Sequence, residues 1–202
     1  MVTLTLPQQH FAPPPFPVWR FTVDEYHRLI NAGFLGENDR VEFLEGWIVP
    51  KNAHSPPHDG TKQIVSDRLR RRLPQEWDIR IQSAVTLADS EPEPDLAIVR
   101  NIELEYLTRH PGPSDIGLLI EVADSSLLQD QQDKARIYAR AGIAAYWIIN
   151  LVDGRVEIFS DPTGPAAQPA YRSCTSYRDE ELVPLVLEGV EIARIPAKDL
   201  LP

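Results

Sequence analysis

Three charged residues of this chain sit where apolar neighbours make charge costly. Glu121 interrupts the run Leu118-Leu-Ile-Glu121-Val-Ala123, and Asp95 opens the run Leu96-Ala-Ile-Val99. Lys134 precedes Ile137, Tyr138 and Ala141 at helical spacing, so it shares their face. A carboxylate inside a buried strand must be paired, protonated or metal-bound. Asp95, Glu121 and Lys134 are therefore read as one buried polar cluster. Two carboxylates on neighbouring strands can hold a hard divalent cation through oxygen. A lysine beside them can orient or activate a water and offset charge on a phosphorus-centred transition state. Glu42, in Val41-Glu-Phe-Leu44, could complete the site from another element. The same cluster could instead be a buried lysine–carboxylate pair that fixes packing without catalysis, and spacing alone leaves both readings open. His54 and His58 fall between Lys51 and Gly60 beside Pro56 and Pro57, and read as loop residues rather than ligands.

The elements that must position these residues follow from apolar run length and punctuation. From Ser90 to Leu151 the order is strand, strand, helix, strand, with the helix from about Asp130 to Ala141 and Gly142 as its stop. Upstream, Thr22-Val-Asp-Glu25 is a capping box, and a short helix should follow and end near Gly33. Arg40 to Pro50 reads as two strands around a Glu45-Gly46 turn. Residues 51–60 read as a loop. Residues 61–73 read as a helix with Ile64, Val65, Leu69 and Leu73 on its stripe, and residues 79–87 as a strand. Downstream, strands at Trp147–Ile149 and Val156–Phe159 flank an Asp153-Gly154 hairpin turn. Further strands are expected at residues 171–177 and 190–195.

At 202 residues, 43% hydrophobic and 25% charged, the chain is ordinary globular material of one-domain size. Residues 1–20, with Pro7, Pro13, Pro14, Pro15 and Pro17, read as a flexible arm, and residues 21–202 as one domain. No apolar window is long enough to span a membrane, and the start lacks the pattern of a signal peptide. The lone cysteine, Cys174, excludes an internal disulfide and fits a reducing cytoplasm. A net charge of −10 argues against nonspecific adhesion to nucleic acid. Residues 61–82 depart from it. Lys62, Arg68, Arg70, Arg71, Arg72 and Arg80 outnumber Asp67, Glu76 and Asp78, for a local charge of +3. This island is either a solvated helix face or a surface facing phosphates.

The arrangement also resembles a known family. Pro94-Asp95, Ile120-Glu121-Val122 and Lys134 on the following helix resemble the PD-(D/E)XK nuclease superfamily. Within it, the chain is similar to the restriction-endonuclease-like Uma2 family. The shared features are Val41-Glu42-Phe-Leu-Glu-Gly46, His58 after a Ser-Pro loop, Pro94-Asp95-Leu96, and the block from Leu118 to Trp147. The resemblance covers roughly residues 21 to 160 and is most specific in that last block. It implies an α/β fold with a mixed central sheet flanked by helices. Asp95 and Glu121 then correspond to the metal-binding pair, Lys134 to the catalytic lysine and Glu42 to an acidic residue of the N-terminal part. Ala123 stands where the superfamily's usual lysine would be, so Lys134 must reach back from the helix. The implied activity is hydrolysis of phosphodiester bonds, in DNA, with Mg²⁺ or Mn²⁺, and a homodimer is compatible with it. Two alternatives are a non-catalytic nucleic-acid- or protein-binding module on the same fold, and a metal-dependent hydrolase of small phosphate esters.

Overall fold

The computed structural model describes residues 17–202 apart from residues 37 and 103. Most of the expected arm, residues 1–16, lies outside the described residues. Helix α1 (Val23–Asn31) begins on the expected cap: Glu25 N–H donates to Thr22 Oγ1, and Thr22 N–H donates back to Glu25 Oε2. Strands β1 (Val41–Leu44) and β2 (Trp47–Pro50) form a hairpin. Its turn residues Glu45 and Gly46 take φ +50° and +82°, the pair of positive values a two-residue turn of this twist needs. Gly46 is also required by space, since a Cβ there would lie 2.7 Å from Arg20 Cβ.

Helix α2 (Pro56–Arg70) starts five residues earlier than residues 61–73 suggest, which removes His58 from the expected loop. Ser55 caps it, and the two prolines occupy the first turn, where their missing N–H groups cost nothing. Strand β3 (Trp77–Ile81) is shorter than expected. At Gln82 the backbone turns to φ +45° and its N–H donates to the Asp95 carbonyl. Val85 and Leu87 are buried, but their N–H groups bond to Pro92 and Ser90 in a loop rather than to a strand.

The remaining elements are β4 (Leu96–Arg100), β5 (Ile116–Ala123), helix α3, β6 (Ala145–Asn150), β7 (Arg155–Pro162) and β8 (Tyr171–Tyr177). A closing hairpin follows, β9 (Leu182–Leu187) with β10 (Val190–Pro196). Only β10 is evident from sequence pattern, because Pro184 breaks the reading of β9. Helix α3 runs through three segments, Leu127–Gln129, a wider π-turn at Asp130–Lys134, and Ala135–Arg140.

Strands β3 to β8 form a six-stranded mixed sheet in chain order, parallel only between β5 and β6, where α3 makes the crossover. One face packs against α2 and the β9–β10 hairpin through Val65, Leu69, Leu118, Ile120, Leu185 and Ile195. The other packs against α3 and the β1–β2 hairpin through Leu44, Ala97, Leu119, Ile137, Tyr138 and Tyr146. All eight positions of β5 are buried, as a strand covered on both faces requires. Gly117 in β5 lets Trp77 lie close, since a Cβ there would meet the Trp77 ring at 2.7 Å.

Candidate active site

Strand alternation decides which face each acid occupies. Asp95 is two residues before Ala97, and Glu121 lies between Leu119 and Ala123, so both carboxylates project to the face covered by α3. The pairing Leu96↔Ile120 brings Asp95 beside Glu121. Asp95 N–H donates to Glu121 Oε2 at 3.3 Å, and Val122 N–H donates to Asp95 Oδ2 at 2.9 Å. The two expected metal-binding carboxylates thus share one face and one hydrogen-bonded corner.

Lys134 points into that corner, as its helical phase predicts. It is 8% exposed, and its ammonium donates to Glu121 Oε1 at 2.9 Å. Glu42 Oε2 lies 3.8 Å away and Asp130 Oδ1 3.9 Å away. The widened turn of α3 carries both Asp130 and Lys134, a helix irregularity that recurs at functional sites. Glu42 arrives from β1 on the hairpin, which is clamped to α3 at its turn. There Arg136 donates to Glu45 Oε2 at 2.7 Å, and Arg140 to Glu45 Oε1 at 2.6 Å. Tyr138 O–H donates to Glu121 Oε1 at 2.9 Å, fixing that carboxylate from the next turn.

The electrostatics follow from burial and the surplus of acids. Burial pushes the Glu121 carboxyl up to about 8; Lys134 opposes the rise, while Asp130 and Asp95 add to it. Burial likewise lifts Asp130 to about 6. For Lys134, burial works against the charge, but Glu121, Glu42 and Asp130 outweigh it and hold the ammonium protonated well above its ordinary range. Burial also opposes ionisation of Asp95, yet the hydrogen bond and charge of His58, the Val122 N–H and Lys134 bring its carboxyl below the usual value.

His58 is what the sequence reading missed. It sits in the first turn of α2, 5% exposed, with Nε2 2.9 Å from Asp95 Oδ2. The signal that could have found it is Ser55-Pro56-Pro57, a cap followed by prolines in the first turn. His54 does lie on the preceding loop, with the Gln82 amide 2.9 Å from its Nδ1. Asp130 and Tyr138 also join the site unannounced by the sequence. Glu42, His54, His58, Asp95, Glu121, Asp130 and Lys134 border a cavity of about 380 Å³, with Arg40 and Lys51 also in its lining.

The basic island is placed elsewhere. Arg68 follows His58 by ten residues, about 15 Å along the helix axis, so the island's helix arginines lie beyond the cavity, while Lys62 stays near it, paired with Asp59 at 2.8 Å. Arg70 bonds Asp78 at 2.7 Å, and Arg72 donates to the Arg68 carbonyl. No described helix is long and apolar enough to cross a membrane.

Residues 23–195 match the model of the family Uma2, described as "Putative restriction endonuclease". Among solved structures, the chain is similar to one titled as "a putative nuclease belonging to DUF820 from Anabaena variabilis". That likeness has a TM-score of 0.63 at 17% identity and covers 89% of this chain and 97% of that one, so it shows a shared fold. No curated protein matches the chain.

Proposed function

The chain belongs to the Uma2 family, and from that premise we propose that it is a metal-dependent endonuclease that hydrolyses phosphodiester bonds in DNA. The observation that carries this reading is the Lys134 ammonium, buried 2.9 Å from Glu121 with Asp95 on the same sheet face. DNA is taken as substrate from the family's description.

The donor set suits a divalent cation. Glu42, Glu121 and Asp130 lie within 4 Å of the buried Lys134 ammonium, and the buried Asp95 adjoins Glu121 with His58 against it. Four buried acids thus outnumber the buried lysine, and oxygen donors of this kind match Mg²⁺ or Mn²⁺, whose binding would displace the proton that burial holds on Glu121. Asp95 and Glu121 would hold the ion, which when bound supplies charge stabilisation and a more acidic water.

The chain's own residues do the rest. His58 and the Val122 N–H both engage Asp95 Oδ2, while among the described residues Oδ1 accepts no hydrogen bond and would be available to an ion. Tyr138 and Lys134 together set the orientation of Glu121. Because its neighbours hold Lys134 protonated, it acts as a fixed positive charge and hydrogen-bond donor toward a phosphoryl oxygen or an attacking water, not as a base. Its position on α3 replaces the lysine that Ala123 lacks.

The test is cleavage of plasmid, single-stranded DNA and RNA with Mg²⁺ or Mn²⁺, beside an EDTA control and Lys134→Ala. Metal-dependent cutting of DNA that Lys134→Ala loses is the expected result. Binding of DNA without cleavage under any metal would instead favour a non-catalytic module on this fold.

A further inference from the structure

A nitrogen-bearing group borders the same cavity. His54, His58 and Asp95 each present one ligand atom, and the three atoms lie within 4.8 Å of one another. The two imidazole rings stack with centroids 4.3 Å apart and an interplanar angle of 22°. His58 Nδ1 is buried without a hydrogen-bond partner; the Asp59 carboxylate at 3.6 Å is beyond bonding reach. The Gln82 side-chain amide lies 2.9 Å from His54 Nδ1; with its oxygen turned to that nitrogen it would accept from Nδ1–H and leave Nε2 free for an ion, the kind of support that orients a metal-binding histidine.

The spacing suits one ion. Ligand atoms bound to a common ion at about 2.1 Å sit about 3.0 Å apart as octahedral neighbours and about 3.4 Å apart in a tetrahedron. His58 Nε2 and Asp95 Oδ2 are 2.9 Å apart through a hydrogen bond; an ion that displaces the Nε2 proton would find them at that separation, with the remaining ring proton on the unpartnered Nδ1. From the 4.8 Å limit the adjustment left to the third ligand is at most about 1.8 Å for octahedral and about 1.4 Å for tetrahedral neighbours, and His54 is exposed. Mg²⁺ sheds water reluctantly and prefers oxygen, whereas imidazole favours zinc, cobalt, nickel and copper ions.

We propose that His54, His58 and Asp95 form a binding site for a divalent transition-metal ion of the zinc or cobalt type, sharing Asp95 with the oxygen pair Asp95–Glu121. The inference rests on the metal-dependent reading above only through that shared carboxylate. Ion binding at the histidines requires neither nucleic acid nor turnover. The consequence is that this chain's cavity discriminates between metals, with the histidine side taking an imidazole-favouring ion in the presence of excess Mg²⁺.

The test uses the full chain stripped with EDTA and titrated with Co²⁺, followed by visible absorption and by calorimetry with Zn²⁺. One equivalent of Co²⁺ should give a ligand-field spectrum with nitrogen coordination that Zn²⁺ abolishes and excess Mg²⁺ leaves in place. His54→Ala, at an exposed position that the fold does not need, should weaken binding at least about tenfold. Lys134→Ala should retain the spectrum. Equal Co²⁺ binding by wild type and His54→Ala, ready displacement by Mg²⁺, or no binding at all would overturn the proposal. The two readings fail differently. If the nuclease reading is wrong, Co²⁺ still binds the histidines while no metal supports cleavage. If the histidine site is wrong, cleavage with Mg²⁺ persists and His54→Ala binds Co²⁺ as wild type does.

Discussion

Replacing Glu121 with glutamine removes a charge from the centre of the cluster while keeping its shape, and it should separate stability from activity. Glu121 is 3% exposed, and burial foremost lifts its carboxyl from 4.5 to about 8. The folded protein therefore binds this proton more tightly than the unfolded chain does. The resulting stabilisation is complete below the unfolded value and is lost as pH rises through the folded one. A lift of that size corresponds to at most about 5 kcal/mol between the two ends of the window. For a chain of this length that is about 10–20 °C in Tm. A glutamine side chain does not titrate, and its carbonyl oxygen can still accept from Lys134 and Tyr138. In EDTA, urea unfolding at about pH 5 and about pH 8 should show wild type losing clearly more stability than Glu121→Gln across that interval. Titrating groups remote from the cluster are common to both proteins and cancel, so the difference between the two losses reports this carboxyl together with the neighbours it couples to, Asp130 and Asp95. Adding Mn²⁺ at the higher pH should return stability to wild type and little to the variant, because the ion binds the ionised form. Cleavage by the variant should fall by about a hundredfold or more. Parallel pH dependence in the two proteins would refute the reasoning, since Glu121 would then be an ordinary carboxylate already neutralised by Lys134.

Lys134→Ala should abolish cleavage, by about 10²–10³-fold or more, while circular dichroism reports an intact fold. Lys134→Arg should not rescue it, because a planar guanidinium cannot occupy the compact ammonium's place among Glu121, Glu42 and Asp130. Gly117→Ala forces a methyl against the Trp77 ring and should cost about 1–3 kcal/mol in urea unfolding, with metal binding retained, since Gly117 lies four residues from Glu121 at the other end of β5. Replacing Arg68, Arg70, Arg71 and Arg72 together tests the basic island: if they face phosphates, the dependence of DNA affinity on salt should flatten by about one unit of slope for each arginine–phosphate pair removed. An unchanged slope leaves them as a solvated face, as the Arg70–Asp78 pair suggests for one of them.

Much of the site was legible because it rests on local rules. Alternation with period two places Leu119, Glu121 and Ala123 on one side of β5, and Asp95 with Ala97 on one side of its strand. The cost of burying a charge then requires a partner for Glu121, and the helical phase of Lys134 offers one. The capping box at Thr22 and the Glu45-Gly46 turn likewise depend on residues within three or four of each other. What only tertiary structure decided involves partners far apart in the chain, whose meeting depends on which strands pair and which element covers which face. Glu42 reaches Lys134 because the hairpin is clamped to α3 through Glu45, 91 residues from Arg136. His58 meets Asp95 because α2 begins early enough to set its first turn at the cavity. Asp130, four residues before Lys134, shares its helical face by phase, but its burial to 2% exposure depends on the hairpin and sheet that close over that face. Periodicity tells which way a side chain points. It cannot tell what waits on the other side, because that is set by packing summed over the whole sheet.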